Sequence, residues 1–140
     1  MPSRVSSSGP MTLFSLAQHG MSAQLVRMNA AASNLANAGS ISGSAEGTYR
    51  PLRPVFATEL DQASGLASVN VTSVIRSDTA PVKEHMPDNP LADADGNVWS
   101  APVDENAEMI EMLDASRQYQ NLVEAMSTAK QLMLDTMRMK

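Results

Sequence analysis

The last third of the chain, residues 101–140, constrains the fold most strongly because it predicts one long amphipathic helix. Apolar or small residues recur there in alternating steps of three and four, the spacing of one helix face, with Lys130 as a charged interruption. Pro102 suits a first helical turn, and no glycine or proline follows in the remaining 38 residues. Such a helix is about 55 Å long, more than a compact domain of 140 residues covers. Part of its apolar face therefore needs a partner outside a single globule. The predicted stripe comprises Met109, Met112, Ser116, Tyr119, Val123, Met126, Met133 and Met137, with a second line at Ala115, Leu122 and Ala129.

Composition and charge limit the classes of partner. A formal net charge of −5 and a pI near 4.8 argue against nucleic acid or an anionic membrane as the main partner. The absence of cysteine excludes disulfides and thiolate metal sites. Residues 1–10 carry one arginine and no apolar core, so we expect no cleavable signal peptide. No run approaches the roughly 18 apolar residues of a membrane span, so we expect a chain that does not cross a membrane.

Residues 12–37 predict a second helix, preceded by a flexible tail at residues 1–11. Thr12 is a candidate N-cap, and Asn37 with Gly39 has the chemistry of a C-cap. Arg27 is the only charged residue between positions 11 and 38, which is unusual for an exposed helix and indicates burial on more than one side, as inside an assembly. The alternative is the central helix of an ordinary bundle. The predicted stripe comprises Phe14, Ala17, Met21, Gln24, Met28, Ala31 and Leu35, widened by Leu25 and Ala32.

Residues 39–100 predict a small β insertion between the helices. Residues 39–48 are rich in glycine and serine and predict a flexible loop. Residues 49–60 and 66–76 predict two strands joined by a hairpin loop, followed by an irregular proline-rich stretch at 77–90. The Asp95-Gly96 pair predicts a turn between two short extended pieces within residues 89–99. The predicted fold class is therefore α+β, with 12–38 and 101–140 forming a discontinuous helical domain around the insertion.

No constellation in the sequence predicts catalysis. His19 and His85 lie in different segments, without HExxH spacing, and we interpret them as surface or interface residues. The acidic turn at residues 93–97 superficially resembles a calcium loop, but Gly96 stands at the fourth position and no glutamate stands at the twelfth. We interpret it as a turn with solvated carboxylates.

The acidic first half of the last helix is the remaining candidate for metal chemistry. Glu108, Glu111 and Asp114 are three residues apart and could share one face, but no histidine stands at a matching spacing. We interpret them as a polar face that interacts with the helix dipole. We therefore expect no enzyme activity, no metal site and no cofactor.

Three blocks of the sequence resemble one protein family. Residues 25–40, LVRMNAAASNLANAGS, resemble the N-terminal signature of flagellar axial proteins, whose first helix carries Asn-Leu-Ala-Asn or a close variant. Residues 89–98, NPLADADGNV, and residues 108–139 resemble the proximal-rod members, in which a Pro-Leu-Ala-Asp turn leads into a helix bearing Ala-Ser-Arg-x-Tyr-Gln. The similarity covers residues 11–140. Residues 1–10 precede the usual start of the family, and Trp99-Ser100 departs from the pattern after the turn.

This resemblance implies a structural role in the flagellar rod. The terminal helices would pair as an antiparallel coiled coil in a tubular, torque-transmitting rod, after export through the flagellar type III apparatus into the periplasm. The implied partners are copies of the chain itself, rod subunits of the FlgB, FlgF and FlgG types, and the basal-body adaptor and export gate. A sibling rod protein is the nearest alternative, and a type III secreted coiled-coil adaptor would leave the motifs unexplained. Expected assembly contacts are Met28, Ala31, Ala32, Asn34, Leu35, Ala36, Asn37, Pro90, Leu91, Ala92, Asp93, Ala115, Ser116, Arg117, Tyr119, Gln120, Val123 and Met126.

Overall fold

The fold is α+β, as predicted, with two long helices and two small antiparallel sheets. The computed structural model describes residues 10–62 and 64–139. Residues 1–9 of the expected tail lie outside this description. Along the chain the elements are α1 (Pro10–Ala36), β1 (Ile41–Ser42), β2 (Leu52–Asp61), β3 (Leu66–Arg76), β4 (Val82–His85), β5 (Asn97–Ser100) and α2 (Glu105–Arg138).

Helix α1 begins earlier and ends differently from the prediction. It starts at Pro10, a favoured first helical residue, so Thr12 lies inside the helix and is not its N-cap. At the other end Gly39 does not adopt the positive φ of a glycine C-cap. Instead the Asn37 side-chain amide donates to the Ser33 carbonyl at 2.8 Å, which satisfies a carbonyl of the last turn.

Helix α2 begins at Glu105, so the prediction that Pro102 occupies its first turn is wrong. Asp104 is the N-cap, and its carboxylate accepts a hydrogen bond from the Ala107 amide. Residues 101–103 lie outside the helix; the Val103 amide donates to the Ala101 carbonyl at 2.9 Å, and the Ala101 amide donates to the Ser40 carbonyl at 3.1 Å. A side-chain cap and this backbone bond together determine where the helix begins.

The two helices pack side by side and run in opposite directions. A Cβ atom added to Gly20 in α1 would lie 3.0 Å from Leu122 Cδ1 in α2. Arg27, two turns later in α1, bonds to Glu111 and Asp114, which precede Leu122 in α2. Contacts therefore move backwards along α2 as they advance along α1.

The line of closest helix packing is displaced from the main predicted stripe of each helix. In α2 it follows the predicted second line, where Ala115 is buried and Leu122 lies against Gly20. The predicted α1 stripe contributes only Ala31 to the buried residues, and Met109 and Met137 of the predicted α2 stripe are exposed. Small side chains allow two helix backbones to approach, so alanine and glycine occupy the contact line while methionines lie beside it. The most completely buried helix residues are Ala23, Ala30, Ala31 and Asn34 in α1 and Glu108 and Ala115 in α2.

The β2–β3 hairpin covers a second side of α1. Its strands pair along their whole length, with a register shift between Val55 and Phe56, close to Pro54. This hairpin confirms the two strands predicted from alternation. The tip of the hairpin lies beside Leu16 and His19 in the first half of α1, and both strands contact the helix.

The second sheet has the order β1-β5-β4 and corrects three expectations for the insertion. Part of the loop predicted at 39–48 forms β1, and part of the stretch predicted as irregular at 77–90 forms β4. The small hairpin joins β4 to β5, so only its second strand lies within residues 89–99. Gly96 does occupy the turn, with a φ of +79°. These strands are too short for a pattern of alternation to reveal.

No helix in the described part of the chain has the apolar length required to cross a membrane.

Candidate assembly interface

Asn34, from the Asn-Leu-Ala-Asn motif, is an internal joint between α1 and the β insertion. Its side chain is fully buried. Its Nδ2 donates to the Leu52 carbonyl at 3.1 Å, and the Leu52 amide donates back to Oδ1 at 2.8 Å. The Tyr49 hydroxyl also donates to Oδ1 at 2.8 Å and lies 2.9 Å from Ser33 Oγ. The Asn34 amide thus pairs with the first residue of β2 as a neighbouring strand would.

Arg27, the lone charge of the first helix, is neutralised within the chain. Its Nε donates to Glu111 Oε1 at 2.7 Å, and Nη2 donates to Asp114 Oδ2 at 2.9 Å. Nη1 donates to Gln24 Oε1 at 2.7 Å. The hydrogen bond to Glu111 raises the pKa of Arg27 above its usual value, so this cation stays charged at all physiological pH values. Two acids that the sequence predicted as a polar face are therefore helix-pairing residues.

Glu108, which the sequence predicted to lie on a polar face that interacts with the helix dipole, is buried. Only 2% of its surface is exposed, and Oε1 accepts a hydrogen bond from Arg53 Nη1 in β2. Oε2 has no hydrogen-bond partner among the described residues. The sequence carried no signal for this pair because the two residues are 55 positions apart.

One face of α1 remains uncovered by the chain itself, and it bears no formal charge. Its exposed residues recur in steps of three and four on the side opposite α2. Leu25 and Ala32, expected to widen the packed stripe, belong to this exposed face. Tyr119 of α2 lies next to it, beside Met21 and Leu25. We call this surface the neutral face; it comprises Gln18, Ser22, Leu25, Asn29, Ala32 and Ala36.

The expected assembly residues fall into three groups by burial. Ala31, Asn34 and Ala115 are buried within the chain, so in this structure its own elements cover them. The exposed members are Ala32, Ala36, Pro90, Leu91, Arg117, Gln120 and Val123. The half-buried members are Met28, Leu35, Asn37, Ala92, Asp93, Ser116, Tyr119 and Met126.

The Pro-Leu-Ala-Asp turn lies in the insertion, where it precedes β5. The Leu91 carbonyl would lie 2.9 Å from a Cβ atom added to Gly43, so the turn packs closely on the chain after β1. Asp93 Oδ1 accepts hydrogen bonds from the Asp95 and Asn97 amides, both at 2.9 Å. This carboxylate therefore organises the turn that the sequence predicted as merely solvated.

Comparison with known proteins identifies the family of this chain. Residues 94–139 match the family model described as the C-terminal region of the flagellar basal body rod FlgEFG proteins. The chain is 39% identical over 127 residues to the flagellar basal-body rod protein FlgC of Salmonella typhimurium, covering 91% of this chain and 95% of that protein. FlgC of Yersinia enterocolitica is 40% identical over 128 residues with the same coverage. FlgC of Agrobacterium fabrum is 34% identical over 125 residues, covering 86% of this chain and 88% of its own length. The chain belongs to the FlgC family of flagellar basal-body rod proteins.

Proposed function

We propose that this chain, a structural subunit of the flagellar basal-body rod, is a building block of the proximal rod. There it assembles with other rod proteins into the axial shaft that transmits torque for motility. Its partners would be copies of itself, neighbouring rod subunits of the FlgB, FlgF and FlgG types, and the basal-body adaptor and export gate. Its place would be the periplasmic part of the basal body, reached by type III export. In this role it catalyses no reaction.

The neutral face of α1 is the observation that supports this proposal most directly. After α2 and the β2–β3 hairpin have covered their sides of α1, the exposed side carries no formal charge over six helical positions. A helix face that stays in water normally carries several lysines and glutamates. A neutral face of small and amide side chains is suited to close packing against a neighbouring subunit, where an unpaired charge would be costly.

Antiparallel coiled-coil pairing of α1 and α2 is part of the proposal. The reversed order of contacts at Gly20–Leu122 and Arg27–Glu111 supports it, as does the central position of small residues. Such a pair would give each subunit a stiff rod-like core. The neutral face and the outer side of α2 would then be free to contact neighbours, and many such contacts around a lattice would resist twisting.

The test is a charge placed on the neutral face. In a strain lacking the gene, complementation with Ala32→Glu should reduce swimming at least about tenfold, because a buried unpaired carboxylate costs several kcal/mol in the subunit contact. The variant should still fold and be exported, since Ala32 is exposed in the chain itself. Ala32→Gln, which has nearly the same size without the charge, should retain most motility. Purified basal bodies should contain the Gln variant and lack the Glu variant.

Two results would contradict the proposal. Normal swimming with Ala32→Glu would show that the neutral face stays in solvent. Intact rods in basal bodies from the strain that lacks the gene would exclude the structural role altogether.

A further inference from the structure

A cleft at the start of α2 holds a buried carboxylate oxygen without a donor. The cleft, which we call the Glu108 cleft, lies between α1, β2 and the first turns of α2. Its apolar wall comes from Ala30, Pro54 and Phe56, and Glu108 lies at its base. Glu108 Oε2 is buried and has no hydrogen-bond partner in the described chain. A buried acceptor without a hydrogen-bond donor is unfavourable, and buried polar atoms of folded proteins normally have a partner.

The charges around this cleft do not balance. Glu108, Glu111 and Asp114 supply three carboxylates, whereas Arg27 and Arg53 supply two guanidinium groups. Arg27 is fully engaged by its two acids, so the deficit of donors falls on Glu108. The cleft can therefore accept one more cationic donor.

The outer side of α2 carries a ridge with the complementary chemistry. Ile110 and Leu113 are 68% and 69% exposed, high values for large apolar side chains. Arg117 is exposed one turn after Leu113 and makes no hydrogen bond or ion pair with any described residue. The spacing of three and four places these residues in one line on the helix. We call them the Ile110 ridge.

The ridge and the cleft lie on different sides of the same helix. They share no residue and are roughly a third of a turn apart around α2. A reciprocal exchange of this contact between two copies would close a dimer. In a rod the contact must instead be one-sided, which leaves a free ridge and a free cleft at the two ends. Such heterologous contacts generate rings or helical filaments rather than closed dimers.

We propose that the Ile110 ridge of one copy docks into the Glu108 cleft of a second copy of this chain, with Arg117 supplying the missing donor to Glu108. Ile110 and Leu113 then pack against the apolar wall at Pro54 and Phe56. Arg53, whose side chain is 48% exposed, rotates to admit the incoming guanidinium. This inference rests on the proposed rod function and names one contact within it.

Cross-linking in assembled rods tests the contact, and the absence of native cysteine removes any background. A full-length double variant with Ala107→Cys and Asn121→Cys, which keeps Arg117, is expressed in the bacterium that makes the protein; Asn121 is exposed one turn beyond Arg117 on the same side of α2. Ala107 is exposed at the rim of the cleft. Treatment of basal bodies with a short bis-maleimide should give a ladder of dimers, trimers and longer products. Each single variant should give monomer only.

The matched control moves one cysteine along the ridge. Thr128 is exposed on the same side of α2, two turns beyond Asn121. A double variant with Ala107→Cys and Thr128→Cys should give no ladder. Equal ladders from the two pairs, dimers only, or no product from intact rods would each overturn the proposed contact.

Charge variants provide a second measurement that does not depend on cross-linking. Arg117→Glu should reduce the amount of the chain in purified basal bodies at least about tenfold, because like charges meet at Glu108. Arg117→Lys keeps a donor and should stay within about twofold of the natural protein. Normal incorporation of Arg117→Glu would overturn the contact while leaving the rod function intact. Absence of the natural chain from basal bodies would instead overturn the rod function.

Discussion

At the scale of single residues, Asn34 shows how one motif side chain holds two parts of the chain together. Its amide donates to the Leu52 carbonyl and accepts from the Leu52 and Tyr49 donors, so both sides of the amide are occupied. An aspartate carboxylate could not donate to the Leu52 carbonyl, and an aliphatic side chain could neither donate nor accept a hydrogen bond. The sequence predicted the importance of this residue but assigned it to contacts with other subunits.

Replacement of Asn34 should destabilise the chain itself. Asn34→Ala removes three hydrogen bonds and leaves the amide and carbonyl of Leu52 without partners at a buried site. We expect the free energy of unfolding to fall by about 2–4 kcal/mol. Asn29→Ala, on the exposed side of the same helix, is the control and should change it by less than about 0.5 kcal/mol. Urea denaturation followed by circular dichroism measures both. Equal stability of the two variants would mean that the Asn34 joint contributes little.

Ion pairs between residues far apart in the sequence could not be predicted. The isolated charge of Arg27 was evident from the sequence, but its partners lie 84 and 87 positions away. Glu108 looked like its neighbours Glu111 and Asp114, and only the fold places it behind β2. Long-range pairs of this kind leave no local pattern.

At the scale of elements, the periodicity of apolar residues predicted both long helices and the β2–β3 hairpin. It gave the contact line of α2 only as a second line at Ala115 and Leu122, and it did not predict which side of α1 faces α2. Methionines mark a broad stripe, whereas the contact line is set by small residues such as Ala23 and Ala115, which carry little hydrophobic signal. The strands β1 and β4 were missed because two and four residues are too few to show alternation.

Gly20 tests the contact line between the helices. Because a Cβ atom there would already lie 3.0 Å from Leu122 Cδ1, a larger side chain must displace the Leu122 side chain or push the helices apart. Gly20→Leu should destabilise the chain by about 1–2 kcal/mol, since overpacking outweighs the gain in helix propensity. Ser22→Leu, on the neutral face, should be neutral or slightly stabilising. Urea denaturation of the two variants is the measurement. A loss of stability in Ser22→Leu alone would mean that α2 packs against the neutral face and not against the Gly20 side of α1.

At the scale of the whole molecule, the chain covers α1 on two sides and leaves other apolar surface in solvent. The sequence predicted burial of α1 on more than one side and attributed it to an assembly. One of those sides is covered by the chain's own β2–β3 hairpin, a packing that joins residues far apart in sequence. The neutral face and the Ile110 ridge are two of the surfaces that remain for neighbours.

The end of α2 should behave differently in the free chain and in the assembled rod. In the antiparallel register, the first residue of α1 lies roughly opposite Leu132. The last turns of α2 therefore extend beyond α1, and Leu132 and Met137 are exposed. A helix end without packing is marginal in water, so amide hydrogens after residue 131 should exchange rapidly in the purified chain.

Amide exchange followed by mass spectrometry compares this end of α2 with its first half, where Arg27 and Arg53 hold Glu111 and Glu108. The first half should be protected in the free chain, and the end should gain protection only within basal bodies, because neighbouring subunits then cover its apolar side chains. Uniformly strong protection along α2 in the free chain would mean that the helix end needs no neighbour. Unchanged rapid exchange in basal bodies would mean that the rod leaves this end of α2 uncovered.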